Sequence, residues 1–243
     1  VQENENILVS ASGDGSIKVW DLSAPPGANP LRSLEEHTHE VYCVAWQLGG
    51  RRDCLLSASW DDSAKLWSLA AGPRAIRTFA EHSYCVYAAA WNPTAPDVFA
   101  TASGDCTVKV WDARAPFSTM TIPAHQCVAL LQGCMCCNLT QACLHCFRYE
   151  ILSCDWNKYN DCVLATGSVD KTARLWVRQR ASCIGDDEAL MTDALQDVRN
   201  PSAPLMTLAG HSYAVRRVKW SPFSEHVLYT CRRVTALFAC WFD

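Results

Sequence analysis

Short apolar runs recur along the chain, each bounded by Gly, Asp, Ser or Pro. Val41–Trp46, Cys54–Ser59, Ala64–Leu69 and Ala75–Phe79 form the clearest set. β-Branched and aromatic residues mix with aliphatic ones in these runs, and none keeps the i, i+3, i+4 apolar spacing of a helix. The pattern therefore predicts groups of four strands. Four strands this short cannot bury both faces of their own sheet, so each group must pack between copies of itself.

The copies are present. Four segments align on an Asp that precedes a Trp by six positions: Asp14 and Trp20, Asp61 and Trp67, Asp105 and Trp111, Asp170 and Trp176. A second landmark is a His followed nine positions later by a Trp, as in His37 and Trp46, His82 and Trp91, His211 and Trp220. Trp20, Trp67 and Trp111 are 47 and then 44 residues apart. This period, with His early and Trp-Asp late, resembles the WD repeat, in which each unit supplies four strands of a propeller blade. The predicted fold class is an all-β, WD-repeat β-propeller with repeats roughly at 1–30, 31–75, 76–119, 120–204 and 205–243. The resemblance implies that the landmarks form a structural hydrogen-bond network: His37, Asp61 and Trp67; His82, Asp105 and Trp111; His125, Asp170 and Trp176; and His211. Propellers of this type usually close with seven blades, so about four to five repeats imply an incomplete ring with blades missing at both ends. An open ring exposes strand edges, and poor stability is expected of it.

Two stretches break the period. His125 to Asp170 is 45 residues against 23 for His82 to Asp105, an excess of 22 that falls within 127–149. Trp176 to His211 is 35 against 15 for Trp67 to His82, an excess of 20 that removing 177–196 repairs. The first stretch holds six Cys, and Cys134, Cys136, Cys137, Cys143, His145 and Cys146 invite a zinc reading. Their spacing matches no standard finger, however. Gln132, Asn138, Thr140, Gln141 and His145 interrupt it as a membrane span. Because excision restores a continuous strand, the favoured expectation is translated non-coding sequence, with a genuine loop as the alternative. In the last repeat Thr235 stands where Asp is expected.

Composition narrows the function classes. Lys and Arg total 21 against 25 Asp and Glu, a net charge of −4 that lacks the broad basic face of a nucleic-acid binder. The other nine of the 15 Cys are scattered singly among apolar residues, as reduced core thiols would be in a cytosolic chain. Ser59, His37 and Asp61 suggest a hydrolase triad, but an enzyme needs one such set and here it repeats from unit to unit. With no glycine-rich phosphate loop and no nucleophile elbow, neither a catalytic residue nor a cofactor or metal is predicted. The chain reads as a binding scaffold.

Particular strings go beyond generic repeats: Glu36-His37-Thr38-His39-Glu40-Val41-Tyr42, Ser57-Ala58-Ser59-Trp60-Asp61 and Ile122-Pro123-Ala124-His125-Gln126. To these add 150–160, which opens Glu150-Ile151-Leu152-Ser153-Cys154-Asp155-Trp156, and 210–219, which opens Gly210-His211-Ser212-Tyr213. Together they are similar to the peroxisomal type-2 targeting-signal receptors, a WD-repeat family. That resemblance implies a cytosolic import receptor that cycles to the peroxisome. It would bind the N-terminal type-2 signal of matrix proteins and act with an import co-receptor and docking proteins. No nucleic acid and no membrane span are implied. In WD propellers the top rim is lined by residues three and five after each His and by the residue before each turn Asp. On this chain the cargo-contact residues would be Glu40, Tyr42, Trp60, Tyr87, Glu150 and Arg216. Glu40 and Glu150 would pair with the basic groups of the helical signal, and Tyr42, Trp60 and Tyr87 would supply apolar surface. The alternative is a generic WD-repeat scaffold or adaptor, for example in a ubiquitin-ligase or chromatin complex.

Overall fold

A computed structural model describes residues 6–47, 53–125, 149–178, 203–232 and 237–241. They form five antiparallel sheets. The first holds β1 (Ile7–Ala11), β2 (Ile17–Asp21) and β3 (Arg32–Leu34); the second β4 (Val41–Trp46), β5 (Cys54–Ser59), β6 (Ala64–Ser68) and β7 (Ala75–Phe79). The third comprises β8 (Val86–Trp91), β9 (Val98–Ser103), β10 (Val108–Asp112) and β11 (Ser118–Ile122). The fourth comprises β12 (Ile151–Trp156), β13 (Val163–Ser168), β14 (Thr172–Val177) and β15 (Met206–Ala209), and the fifth β16 (Arg217–Trp220), β17 (Val227–Cys231) and β18 (Leu237–Trp241).

Each sheet is a meander, and its hairpins follow local turn chemistry. Asp14, Asp61, Asp105 and Asp170 each accept the amide two residues on. The residue after the Asp in the second, third and fourth sheets adopts a left-handed conformation, at φ 64° for Asp62, 68° for Cys106 and 71° for Lys171. In the first sheet Gly15 takes that role at φ 83°.

The core lies between sheets, not within them. Trp67, Leu55 and Val41 of the second sheet pack on Ile17 and Leu34 of the first. Phe99, Trp111 and Ala89 of the third meet Leu56, Leu66 and Phe79 of the second. Trp156, Leu164 and Trp176 of the fourth meet Ala100, Val108 and Ile122 of the third, and Val218, Trp220 and Leu228 of the fifth meet Ala165 and Leu175 of the fourth. β4, β8, β12 and β16 neighbour one another and form the inner wall. There the Trp91 indole N–H donates to the Ala45 carbonyl at 3.2 Å, and that of Trp156 to Ala90 at 3.2 Å. These are propeller blades, and among the described residues they do not close into a ring.

The blades are offset from the sequence repeats. Boundaries at 30, 75, 119 and 204 fall at or beside β3, β7, β11 and β15, whereas each sheet ends only after that strand, because the strand's hydrogen bonds are made to the preceding one. Val177 also belongs to β14, paired with Val163, so that strand runs one residue into the predicted 177–196 insertion. The zinc, membrane and non-coding readings of 127–149 lie outside the described residues, apart from Tyr149. Thr235 lies outside them as well. Among the described residues no helix is long and apolar enough to cross a membrane, and no cluster of His, Cys, Asp and Glu is placed to hold a metal ion.

Candidate functional site

Two groups of polar and aromatic side chains stand at the end of the sheets that carries the Asp turns. The first is buried and repeats. In the third sheet the Trp111 indole N–H donates to Thr101 Oγ1 at 2.8 Å, the Thr101 hydroxyl meets His82 Nε2 at 2.7 Å, and His82 Nδ1 meets Asp105 Oδ2 at 2.8 Å. The second sheet repeats the chain through Trp67, Ser57, His37 and Asp61, and the fourth through Trp176, Thr166, His125 and Asp170. The Trp N–H can only donate, so the hydroxyl is free to donate to Nε2, which leaves Nδ1–H for the carboxylate. In the fifth sheet His211 Nε2 meets Thr230 Oγ1 at 2.8 Å.

These carboxyls are strongly polarised. Burial pushes Asp105 and Asp170 up, but the hydrogen bond and charge of the facing His and the bonds from Thr107 or Thr172 outweigh it and hold both at about 2. Asp61 lies well below the usual range for the same reasons, against the same burial. Burial pushes His125 down, which favours the neutral imidazole.

Ser57, His37 and Asp61 thus form a Ser–His–Asp relay, and the hydroxyl in it is Ser57 rather than the predicted Ser59. Ser57 is fully buried and already bonded to the Trp67 indole, so no substrate reaches it. Ser59 instead donates to the Glu40 carbonyl at 2.8 Å and accepts the Asp61 amide at 3.2 Å. The sequence does contain a signal for the missed hydroxyls: Ser10, Ser57, Thr101 and Thr166 each lie ten residues before the Trp that donates to them.

The second group occurs once among the described residues and crosses blades. Tyr42 stacks on Trp60 with centroids 6.0 Å apart and planes at 16°. Tyr87 meets both edge-on, at 5.4 Å from Tyr42 and 6.2 Å from Trp60. The Tyr87 hydroxyl donates to Glu150 Oε2 at 3.0 Å, joining the third blade to the fourth. Burial and then the Glu150 charge push the Tyr87 phenol above its ordinary range. Burial, followed by the charges of Asp62, Glu150 and Glu40, raises the Cys85 thiol, which lies in the field of all three carboxylates. Burial and the neighbouring Asp61 and Asp105 push Asp62 up as well.

Backbone geometry gives the rim positions a common framework. The amides of Trp60, Gly104 and Val169 donate to the carbonyls of Glu40, Cys85 and Glu150, at 3.0, 2.9 and 3.0 Å. Glu150 therefore occupies in the fourth blade the place of Glu40 in the second, despite the longer chain after His125. Tyr42 and Trp60 are 42% and 39% exposed, but Tyr87 is only 8% exposed. Tyr87, expected to supply apolar contact surface, is thus largely buried against Tyr42 and Trp60, with its hydroxyl on Glu150. Arg216 is exposed at the corresponding place in the fifth blade, and none of the described contacts joins it to the aromatic group. Sequence spacing also passed over Asp62 and Tyr84, which follow the turn Asp and the landmark His by one and two residues.

The comparisons with known proteins agree with this architecture. The chain is 60% identical over 47 residues to the peroxisomal targeting signal 2 receptor of Dictyostelium discoideum, covering 19% of this chain and 15% of that protein. With the receptor of that name from Mus musculus it shares 37% identity over 101 residues, 42% of this chain and 31% of that one. With that of Saccharomyces cerevisiae the match is 25% over 262 residues, 95% of this chain and 64% of the relative. The chain thus spans less than two thirds of the length of each of these relatives. The family described as WD domain, G-beta repeat, matches residues 1–21, 28–68, 73–112, 141–177 and 202–233, most of the sequence, and the chain belongs to that WD40 repeat family.

Proposed function

We propose that this chain is the cargo-reading part of a peroxisomal import receptor that binds the N-terminal type-2 targeting signal of matrix proteins. The observation that carries the reading is the acidic and aromatic group of Glu40, Tyr42, Trp60, Asp62, Tyr87 and Glu150, which draws on three blades and has no second copy among the described residues. Carboxylates beside exposed aromatic faces suit a ligand with cationic and apolar side chains on one surface, the chemistry of a basic amphipathic helix. The similarity to targeting signal 2 receptors supports the same ligand class. On this reading the receptor collects cargo in the cytosol, acts with a co-receptor and peroxisomal docking proteins, and cycles to the peroxisome. The repeated His, Asp and Trp residues carry architecture and take no part in chemistry.

The test is fluorescence anisotropy with a labelled nonapeptide helix bearing Arg at one end and Leu along one face. Saturable binding that weakens with salt and is lost to a charge-reversed peptide is the expected result. Absence of binding would favour a WD-repeat scaffold for a different partner.

A further inference from the structure

The position before the turn Asp carries Trp60 in the second blade and Val169 in the fourth, both exposed. In the third blade it is Gly104, which is buried. A Cβ built there would lie 2.5 Å from Tyr84 Cδ1, 3.1 Å from Tyr84 Cε1 and 3.2 Å from Tyr87 Cε2. The place of the missing side chain is therefore filled by the Tyr84 ring. That ring is tethered through its own backbone, whose carbonyl accepts the Ser103 hydroxyl at 2.7 Å. Gly104 is not at positive φ, so its requirement is space rather than backbone conformation.

We propose that Tyr84 is a further ligand-contact residue of the rim, seated on Gly104, and that Gly104 is the positioning residue that creates its seat. The inference rests on the peptide-binding reading above. Tyr84 is 37% exposed beside the buried Tyr87, in the blade between Trp60 and Glu150. It extends the aromatic surface of Tyr42 and Trp60 to the third blade, where neither Gly104 nor Cys85 supplies a large side chain. The occupant is the same basic amphipathic helix, because the carboxylates of Glu40, Asp62 and Glu150 border this surface. A phenol ring there offers an apolar face to a Leu-like side chain and a π-face to a cation. An alanine at 104 would force the Tyr84 ring outward, since Tyr87 is packed in and has little room to move.

A double-mutant cycle on the full chain tests this, with the Arg- and Leu-bearing nonapeptide as probe. Tyr84→Ala should weaken binding about tenfold, the loss expected of an aromatic anchor rather than of a peripheral contact. Gly104→Ala should cost a similar factor, and Gly104→Ala with Tyr84→Ala should be no weaker than either single variant, because both act through one ring. Thermal melts should be unchanged in Tyr84→Ala. As a readout independent of the ligand, the ¹⁹F resonance of 3-fluorotyrosine at position 84 should move toward the free amino-acid value in Gly104→Ala. Normal peptide binding by Tyr84→Ala would overturn the contact role and leave the functional reading standing. An unmoved resonance, or losses that multiply in the double variant, would overturn the seat. A wild-type chain that does not bind the peptide would overturn both the functional reading and the contact role.

Discussion

The buried relay and the rim group are made of similar parts, a carboxylate beside aromatic rings with a hydroxyl between, yet they behave differently in the molecule. The relay recurs with nearly the same distances in the second, third and fourth sheets, where each indole and imidazole is buried between blades. The rim group has no second copy among the described residues, draws on three blades at once and leaves Tyr42 and Trp60 in contact with solvent. A feature that recurs from blade to blade is architecture; a feature assembled once, from residues that no single repeat contains, is where the proposed function would place selectivity. The two groups should therefore separate cleanly when mutated.

The largest effect is expected at the relay. Trp111→Ala removes a fully buried indole from the interface of the second and third sheets and should cost roughly 3–5 kcal/mol. Urea unfolding followed by far-UV circular dichroism would register the loss. A folded variant of near wild-type stability would mean that the inter-blade core is not what holds the sheets together.

Charge reversal at the rim should show the opposite pattern. Glu40→Lys should weaken peptide binding and leave the melt unchanged. Glu150→Lys should weaken binding and also lower stability, by up to about 1–3 kcal/mol, because the Tyr87 hydroxyl loses its acceptor. If the ligand desolvates the carboxylates the loss is about 2–5 kcal/mol; if they stay wet it is under about 1 kcal/mol and sensitive to salt. Glu150 should be the more damaging, because its reversal also removes the acceptor of the buried Tyr87 hydroxyl. Anisotropy at two salt concentrations distinguishes the cases, and equal affinity for both variants at low salt would remove the pair from the site.

Asp105→Ala should sit between these, costing about 1–3 kcal/mol by leaving His82 without its acceptor, with peptide affinity unaltered wherever the protein remains folded. Loss of affinity without loss of stability would mean that relay and rim are coupled.

The relay also predicts a pH profile. Asp105 and Asp170 titrate lower in the fold than in the unfolded chain, so their contribution is fully present above about pH 4. It is lost as pH falls toward their folded values of about 2. His125 is held low by burial, so its contribution fades earlier, as pH drops below the ordinary His range. Melting temperatures should fall in two steps on acidification. Asp170→Asn should blunt the lower one, and an unaltered profile in that variant would contradict the assignment.

The smallest effect concerns the longer chain after His125. Joining Gln126 to Tyr149 reproduces the His-x-Tyr spacing of His82 to Tyr84, and it leaves Glu150 hydrogen-bonded to Val169. Removing 127–148 should preserve both peptide affinity and the His125–Asp170 pair, as read by anisotropy and the acid melt. Failure to fold would show that the segment belongs to the blade.

The periodicity of Asp, Trp and His determined the blade fold, because a sheet buried on both faces demands the same apolar and turn residues in every copy. It also determined that Glu150, 25 residues beyond His125, is the counterpart of Glu40, three residues beyond His37, since strand register leaves no other place for it. Strand ends were legible to within a residue, as at β4 to β7. Which hydroxyl completes each relay was decided only in three dimensions. Ser57 and Ser59 lie two apart on β5 and so share a face, which alternation alone cannot tell apart. Only Ser57 meets the Trp67 indole of the neighbouring strand, while Ser59, at the strand end, bonds the Glu40 carbonyl. The burial of Tyr87 beneath Tyr42 and Trp60, its bond to Glu150, and the seating of Tyr84 on Gly104 were decided there as well. The contacts of Tyr42, Trp60, Tyr87 and Glu150 join separate blades, and their geometry depends on how far one blade is rotated from the next, a quantity that no single repeat encodes; the seat of Tyr84 joins a loop to a turn of the same blade.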